Sequence, residues 1–98
     1  MDRESTPAAV KRIAEVKDEL KQRFSVERIG VFGSSARGED SPESDIDVIV
    51  ELSEPTFDNY MELKYCLEEL LQRSVDLVIA DTVKPRLKPI IEREVIYA

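Results

Sequence analysis

Apolar positions along this chain follow two rhythms. Val10, Ile13, Ala14, Leu20 and Phe24 recur at helical spacings, with Lys11, Arg12, Glu15, Asp18, Glu19 and Lys21 between them. That pattern predicts one amphipathic helix whose wet face carries charges of both signs, a solvated surface rather than a binding patch. Thr6 is placed to cap it and Pro7 to occupy its first helical position, where a missing N–H costs little. A second helix is predicted over residues 57–72, capped by Thr56, with Phe57, Tyr60, Met61, Leu63, Leu67, Leu70 and Leu71 as its apolar stripe. Elsewhere the rhythm is that of strands. Residues 26–32 are short and β-branched between Ser25 and Gly33, residues 46–52 are apolar on both faces at their centre, and residues 75–80 form a third run. Pro85 and Pro89 interrupt the C-terminal part, leaving a short helix over residues 90–95 with Pro89 at its first position. The order αββαβα predicts the α/β (α+β) class, a small mixed sheet with helices packed against it.

Composition narrows the chemistry. A length of 98 residues suits one domain spanning 1–98, with little left for a separate substrate-recognition domain. The net charge of −7 argues against direct nucleic-acid binding, which needs a basic footprint, and is compatible with a basic protein partner. Cys66 is the sole cysteine, so no internal disulfide forms, and its helical position reads as a small buried hydrophobe. No apolar run reaches the roughly 20 residues that span a bilayer. The N-terminal Asp2, Arg3 and Glu4 do not read as a signal peptide, so no membrane role and a cytoplasmic location are expected. The chain has no histidine, which removes Ser-His-Asp triads, Cys-His pairs and imidazole zinc sites, and leaves a carboxylate, Lys, Tyr or the Cys as any general base.

Residues 33–47 carry the most chemistry. Gly33-Ser34 follows a predicted strand, and Asp45 and Asp47 open the next one. Side chains two apart on a strand leave the same face, so the two carboxylates point one way. They repel unless a cation sits between them, and Mg²⁺ takes such oxygen ligands together with substrate phosphates. Acids are depleted from strands, so the alternative of an edge or turn cap is the weaker account of the pair. Glycine lets the backbone approach a ligand closely, and Ser34 adds a hydroxyl that can reach a phosphate. A single helical turn after it would favour an anion at its N-terminus. Gly33 and Gly38 have P-loop spacing, but Glu39 and Asp40 stand where that motif needs Lys and a hydroxyl residue, which excludes it. Arg37 can hold a triphosphate or simply face solvent from a turn. Asp76 opens the third strand in the same acid-on-apolar-strand pattern and lies beside the pair if the strands are neighbours.

The run Gly33-Ser34, ten residues, Asp45-x-Asp47, with Ala36-Arg37-Gly38 and Ser44, resembles the signature of the polymerase-beta-like nucleotidyltransferases. The shortness of the chain resembles the minimal nucleotidyltransferases, antitoxin partners of HEPN-type toxins. That resemblance implies the family's fold, with Asp76 as the third acid of a triad and Gly33, Ser34, Arg37 and Ser44 around the nucleotide. It implies Mg²⁺, as two ions on Asp45, Asp47 and Asp76, with ATP as substrate and Asp76 as base, ligand or both. It also implies transfer of AMP to a tyrosine hydroxyl of a HEPN ribonuclease toxin. A non-catalytic module that neutralises a toxin or binds a nucleotide is the alternative, against which three intact acids argue. A transferase acting on a small molecule such as an aminoglycoside would need a substrate domain that is absent.

Overall fold

The fold is built on strand β2 (Ile46–Leu52) in the computed structural model, which describes residues 7–39 and 44–98. Its Ile46, Val48, Val50 and Leu52 are at most 8 % exposed and form the middle of the core. β1 (Val26–Phe32) lies antiparallel on one side of it, and β3 (Val75–Ile79) parallel on the other. A two-residue strand, β4 (Ile96–Tyr97), closes the outer edge of β1, so the sheet is mixed in the order β3-β2-β1-β4. The α/β mixture and mixed sheet agree with the class predicted from the hydrophobic rhythm. β4 has no counterpart among the predicted elements, because two residues carry no periodicity.

Helices α1 (Ala8–Glu15), α2 (Lys17–Phe24) and α4 (Phe57–Leu71) supply Val10, Ile13, Leu20, Phe24, Leu63 and Leu67 to the same core. The apolar spacing predicts one continuous helix over the first part of the chain. Instead the backbone bends at Val16, with φ −115° and ψ 15°. On a straight helix Lys17 would fall on the stripe formed by Val10, Ile13, Leu20 and Phe24. The bend leaves Lys17 exposed while all four apolar residues stay buried. Pro7 occupies the N-cap position rather than the first helical one, and Thr6 lies outside the described residues. The Thr56 cap is present: its hydroxyl accepts the Asn59 N–H at 3.1 Å. Cys66 is half-buried against the core, where burial pushes its thiol pKa up.

Strand β1 carries an irregularity that the sequence did not announce. Its register against β2 shifts by one residue between Val26 and Arg28. This bulge at Glu27 lets Val26 and Ile29, an odd number apart, both face the core. Gly30 lies opposite Tyr97, and a Cβ there would stand 2.7 Å from Val95 Cγ2 and 2.9 Å from Tyr97 Cδ1. The missing side chain is what lets the C-terminal strand close onto β1. β3 ends at Ile79 and Ala80 begins a short 3₁₀ turn, one residue earlier than expected. The last helix, α5 (Lys88–Glu94), starts before Pro89 and contributes no buried residue. Among the described residues no helix is long and apolar enough to cross a membrane.

Leu63 is fully buried and Phe57, on the same helix, is 75 % exposed. Leu63→Ala is expected to cost about 2–5 kcal/mol in urea unfolding, and Phe57→Ala less than about 0.5 kcal/mol. Equal losses at both positions would mean that α4 does not pack by this face.

Candidate active site

The buried parity of β2 determines what its other parity can do. With Ile46, Val48 and Val50 in the core, Asp47, Ile49 and Glu51 must lie on the opposite face. Asp45, just before the strand, shares that parity and is exposed. The register then sets the neighbours of Asp47. It pairs with Phe32 of β1 on one side and with Asp76 of β3 on the other. Asp76 is exposed and points to the same face as Asp47, since Val75 and Leu77 on either side are buried.

Gly33 follows Phe32 and stands against Asp47. Its φ of 74° with ψ of −150° is a conformation open essentially to glycine alone. A Cβ on Gly33 would collide with Asp47 Oδ2 and lie 3.3 Å from its Cγ. Glycine here serves the carboxylate as well as any ligand. Residues Ser34–Arg37 form the single helical turn α3, in which the Ala36 and Arg37 N–H groups both donate to the Gly33 carbonyl. Ser34 is half-buried at its start, and Ser35 is 4 % exposed.

Charges crowd this corner. The Asp47 carboxyl is held above its usual range, first by burial and then by the neighbouring Asp76 and Asp45, with Glu94 adding to the effect. Arg37 acts in the opposite direction on Asp47. Its guanidinium is shared between Glu39, 3.0 Å from Nε, and Glu94, 3.0 Å from Nη1. Arg37 is therefore held by two carboxylates instead of moving freely in solvent. Ser44 is positioned through its backbone: Arg73, just past the end of α4, donates from Nη2 to the Ser44 carbonyl at 2.7 Å. The Ile46 N–H donates to the Ser74 carbonyl at 2.9 Å, which fixes the chain where the acids begin.

The fold thus brings Gly33, Asp45, Asp47 and Asp76 to one corner, with Ser34 and Arg37 on the adjoining turn and Ser44 next to Asp45. Among the described residues no group of three acidic, histidine or cysteine side chains converges, as they stand, into a metal-holding cluster. The donor set fits a hard cation in its chemistry. It offers only carboxylate oxygens, the like charges already disfavour ionisation of Asp47, and Asp45 and Asp76 are exposed and can rotate toward it. Two residues that sequence reasoning missed also belong to this corner, Arg73 and Glu94. Arg73 has no local signal, because its partner lies 29 residues away. Glu94 reads as one more charge on a polar helix until β4 is known to pair with β1.

The chain is similar to known proteins over most of its length. A family profile described as a nucleotidyltransferase domain matches residues 13–98. The protein adenylyltransferase MntA of Thermococcus cleftensis is 44 % identical over 82 residues, which cover 83 % of each chain. A solved structure described provisionally as a minimal nucleotidyltransferase superposes with a TM-score of 0.77 at 38 % identity, covering 98 % of this chain and 95 % of the other. In the fold alone, the chain is similar to one chain of a complex of tri-AMPylated Shewanella oneidensis HEPN toxin with MNT antitoxin. That similarity has a TM-score of 0.64 at 20 % identity and covers 91 % of this chain and 67 % of that one. The chain belongs to the nucleotidyltransferase domain family, and within the polymerase-beta-like superfamily it is a minimal nucleotidyltransferase.

Proposed function

We propose that the chain is a Mg²⁺-dependent protein adenylyltransferase that moves AMP from ATP onto a tyrosine hydroxyl of a HEPN ribonuclease toxin and so silences it. The observation that carries this reading is the position of Asp47, in register with Asp76 on one side and packed against the Gly33 turn on the other. A set of acids and a glycine-led backbone turn meet there at one corner of the sheet. Asp45, Asp47 and Asp76 would hold the cation or cations. When bound, Mg²⁺ neutralises charge on the triphosphate and lowers the pKa of the attacking hydroxyl.

The chain's own residues supply the rest. Gly33 leaves room for the Asp47 carboxylate beside the turn, and the Ser34 hydroxyl at the start of the turn can donate to a phosphate. Arg37 offers a guanidinium whose planar donors match phosphate oxygens. The exposed Asp76 carboxylate can take the proton of the acceptor hydroxyl. The hydroxyl oxygen then bonds to the α-phosphorus, the bond from that phosphorus to the bridging oxygen breaks, and pyrophosphate leaves. The net charge of −7 favours a basic protein acceptor over a nucleic acid.

The test is intact-mass measurement of the co-purified partner after incubation with ATP and Mg²⁺. Whole-AMP increments are expected with wild type and none with Asp47→Ala. The partner is then isolated under denaturing conditions and refolded. It should remain inactive as a ribonuclease after exposure to wild type and recover after exposure to the mutant. Equal recovery in both arms would leave a module that neutralises by occupancy alone.

Charge crowding at Asp47 gives a second test. Without metal, Asp47→Asn should melt at a higher temperature than wild type at neutral pH, because the neutral amide removes a partly buried charge from a field of like charges. The folded-state pKa of Asp47 is raised, so its penalty is present when it is ionised and disappears as pH falls through the carboxylate range. The gap between the variants should therefore close in acid. Adding Mg²⁺ should raise the melting temperature of wild type more than that of Asp47→Asn. A Mg²⁺ shift of equal size in both would remove Asp47 from the metal site.

A further inference from the structure

Glu94 ends α5 at the point where the chain turns into β4. Gly30 pairs with Tyr97 and Val31 with Ile96, so the same antiparallel register carried two residues further sets Glu94 opposite Gly33. At that rung the Glu94 side chain does what a backbone carbonyl does along the ladder. Its Oε1 accepts the Gly33 N–H at 3.2 Å, in a part-buried contact, and its Oε2 accepts from Arg37 Nη1 at 3.0 Å. One carboxylate therefore joins both ends of the turn, the glycine at its start and the arginine that closes α3. Both donors are groups assigned above to the neighbourhood of the nucleotide phosphates. Gly33 has a backbone conformation that needs support from its surroundings. Arg37 is a side chain with many rotamers whose confinement would otherwise cost entropy on binding.

We propose that Glu94 is a positioning residue for nucleotide binding. Resting on the nucleotidyl-transfer reading above, it presets the Gly33–Arg37 turn for a triphosphate without touching the substrate itself. The C-terminal segment, which adds nothing to the buried core through α5, is thereby tied to the phosphate turn.

The test compares wild type, Glu94→Gln, Glu94→Ala and the exposed surface control Glu15→Gln. Binding of a non-hydrolysable ATP analogue with Mg²⁺ is measured by calorimetry, at a temperature where circular dichroism shows every variant fully folded. Glutamine keeps an oxygen for the Gly33 N–H but loses the charge that holds Arg37. Glu94→Gln should therefore melt close to wild type and bind the analogue about tenfold more weakly, with a larger loss in Glu94→Ala. In turnover assays the loss should appear in KM for ATP, with kcat changed less than about twofold. If Glu94→Ala fails to fold, Glu94→Gln alone decides. Unchanged affinity in the Glu94 variants beside a wild type that binds would overturn the role of Glu94 and leave the transfer reading intact. Tighter binding would overturn it too, since the carboxylate would then be a competitor of phosphate. No binding by wild type would overturn the transfer reading and this role with it.

Discussion

The alternation of side chains along β2 is the constraint on which the rest of this structure depends. Ile46, Val48, Val50 and Leu52 are buried against the helices, and their burial commits Asp45, Asp47, Ile49 and Glu51 to the other face. A slip of one residue would drive Asp47 and Glu51 into the core and carry aliphatic side chains to the face of the acids, at about 1.5–3 kcal/mol for each one exposed. Polar contacts around the acids, half-exposed ion pairs among them, are weaker than this. The core therefore fixes where the acids stand, and they need contribute nothing to the stability of the strand that carries them. The raised pKa of Asp47 fits this division, because the fold tolerates a charge that it does not favour.

The same economy explains the charge pattern around the turn. Asp47 is surrounded by Asp45, Asp76 and Glu94, with Arg37 as the cation among the charges acting on it. Arg37 is itself shared by Glu39 and Glu94. These are half-exposed ion pairs, and such pairs contribute little to stability. Their effect is geometric, since a guanidinium with carboxylates on two edges has few orientations left. Under the proposed function, a site that receives a tetra-anionic nucleotide with its cations cannot rest on its net charge, which is negative here. It has to rest on where each donor points.

The parts legible in the sequence are those fixed by local chemistry. The Thr56 cap, the stripe of α4 apart from the exposed Phe57, and the two-faced apolar run of β2 need no partner to be read. The strand rhythm also placed Asp45 and Asp47 on one face, and the repeated pattern at Asp76 became a neighbour once β3 paired in register with β2. What could not be read depends on distant segments. The bend at Val16 becomes visible only when Lys17 has to avoid a core whose other wall is α4. The bulge at Glu27 exists because Val26 and Ile29 must both meet that core. β4, Glu94 and Arg73 act through contacts between residues far apart in sequence, and none has a periodic signal of its own.

These distant contacts give the turn after β1 a support that its own sequence lacks. Four residues cannot hold a helical turn in isolation, since nucleation costs more than one or two hydrogen bonds return. β1 lies between β2 and β4, so the residues that follow it are flanked on both sides. From β2 the Asp47 carboxylate fills the space that a side chain on Gly33 would need. From the β4 side the Glu94 carboxylate takes the Gly33 N–H and the Arg37 guanidinium. The glycine is thus required by one neighbour and anchored by the other. Gly30, three residues earlier, lets the second neighbour approach at all. The two glycines of this segment answer to opposite sides of one strand, and the turn keeps its shape because both sides close.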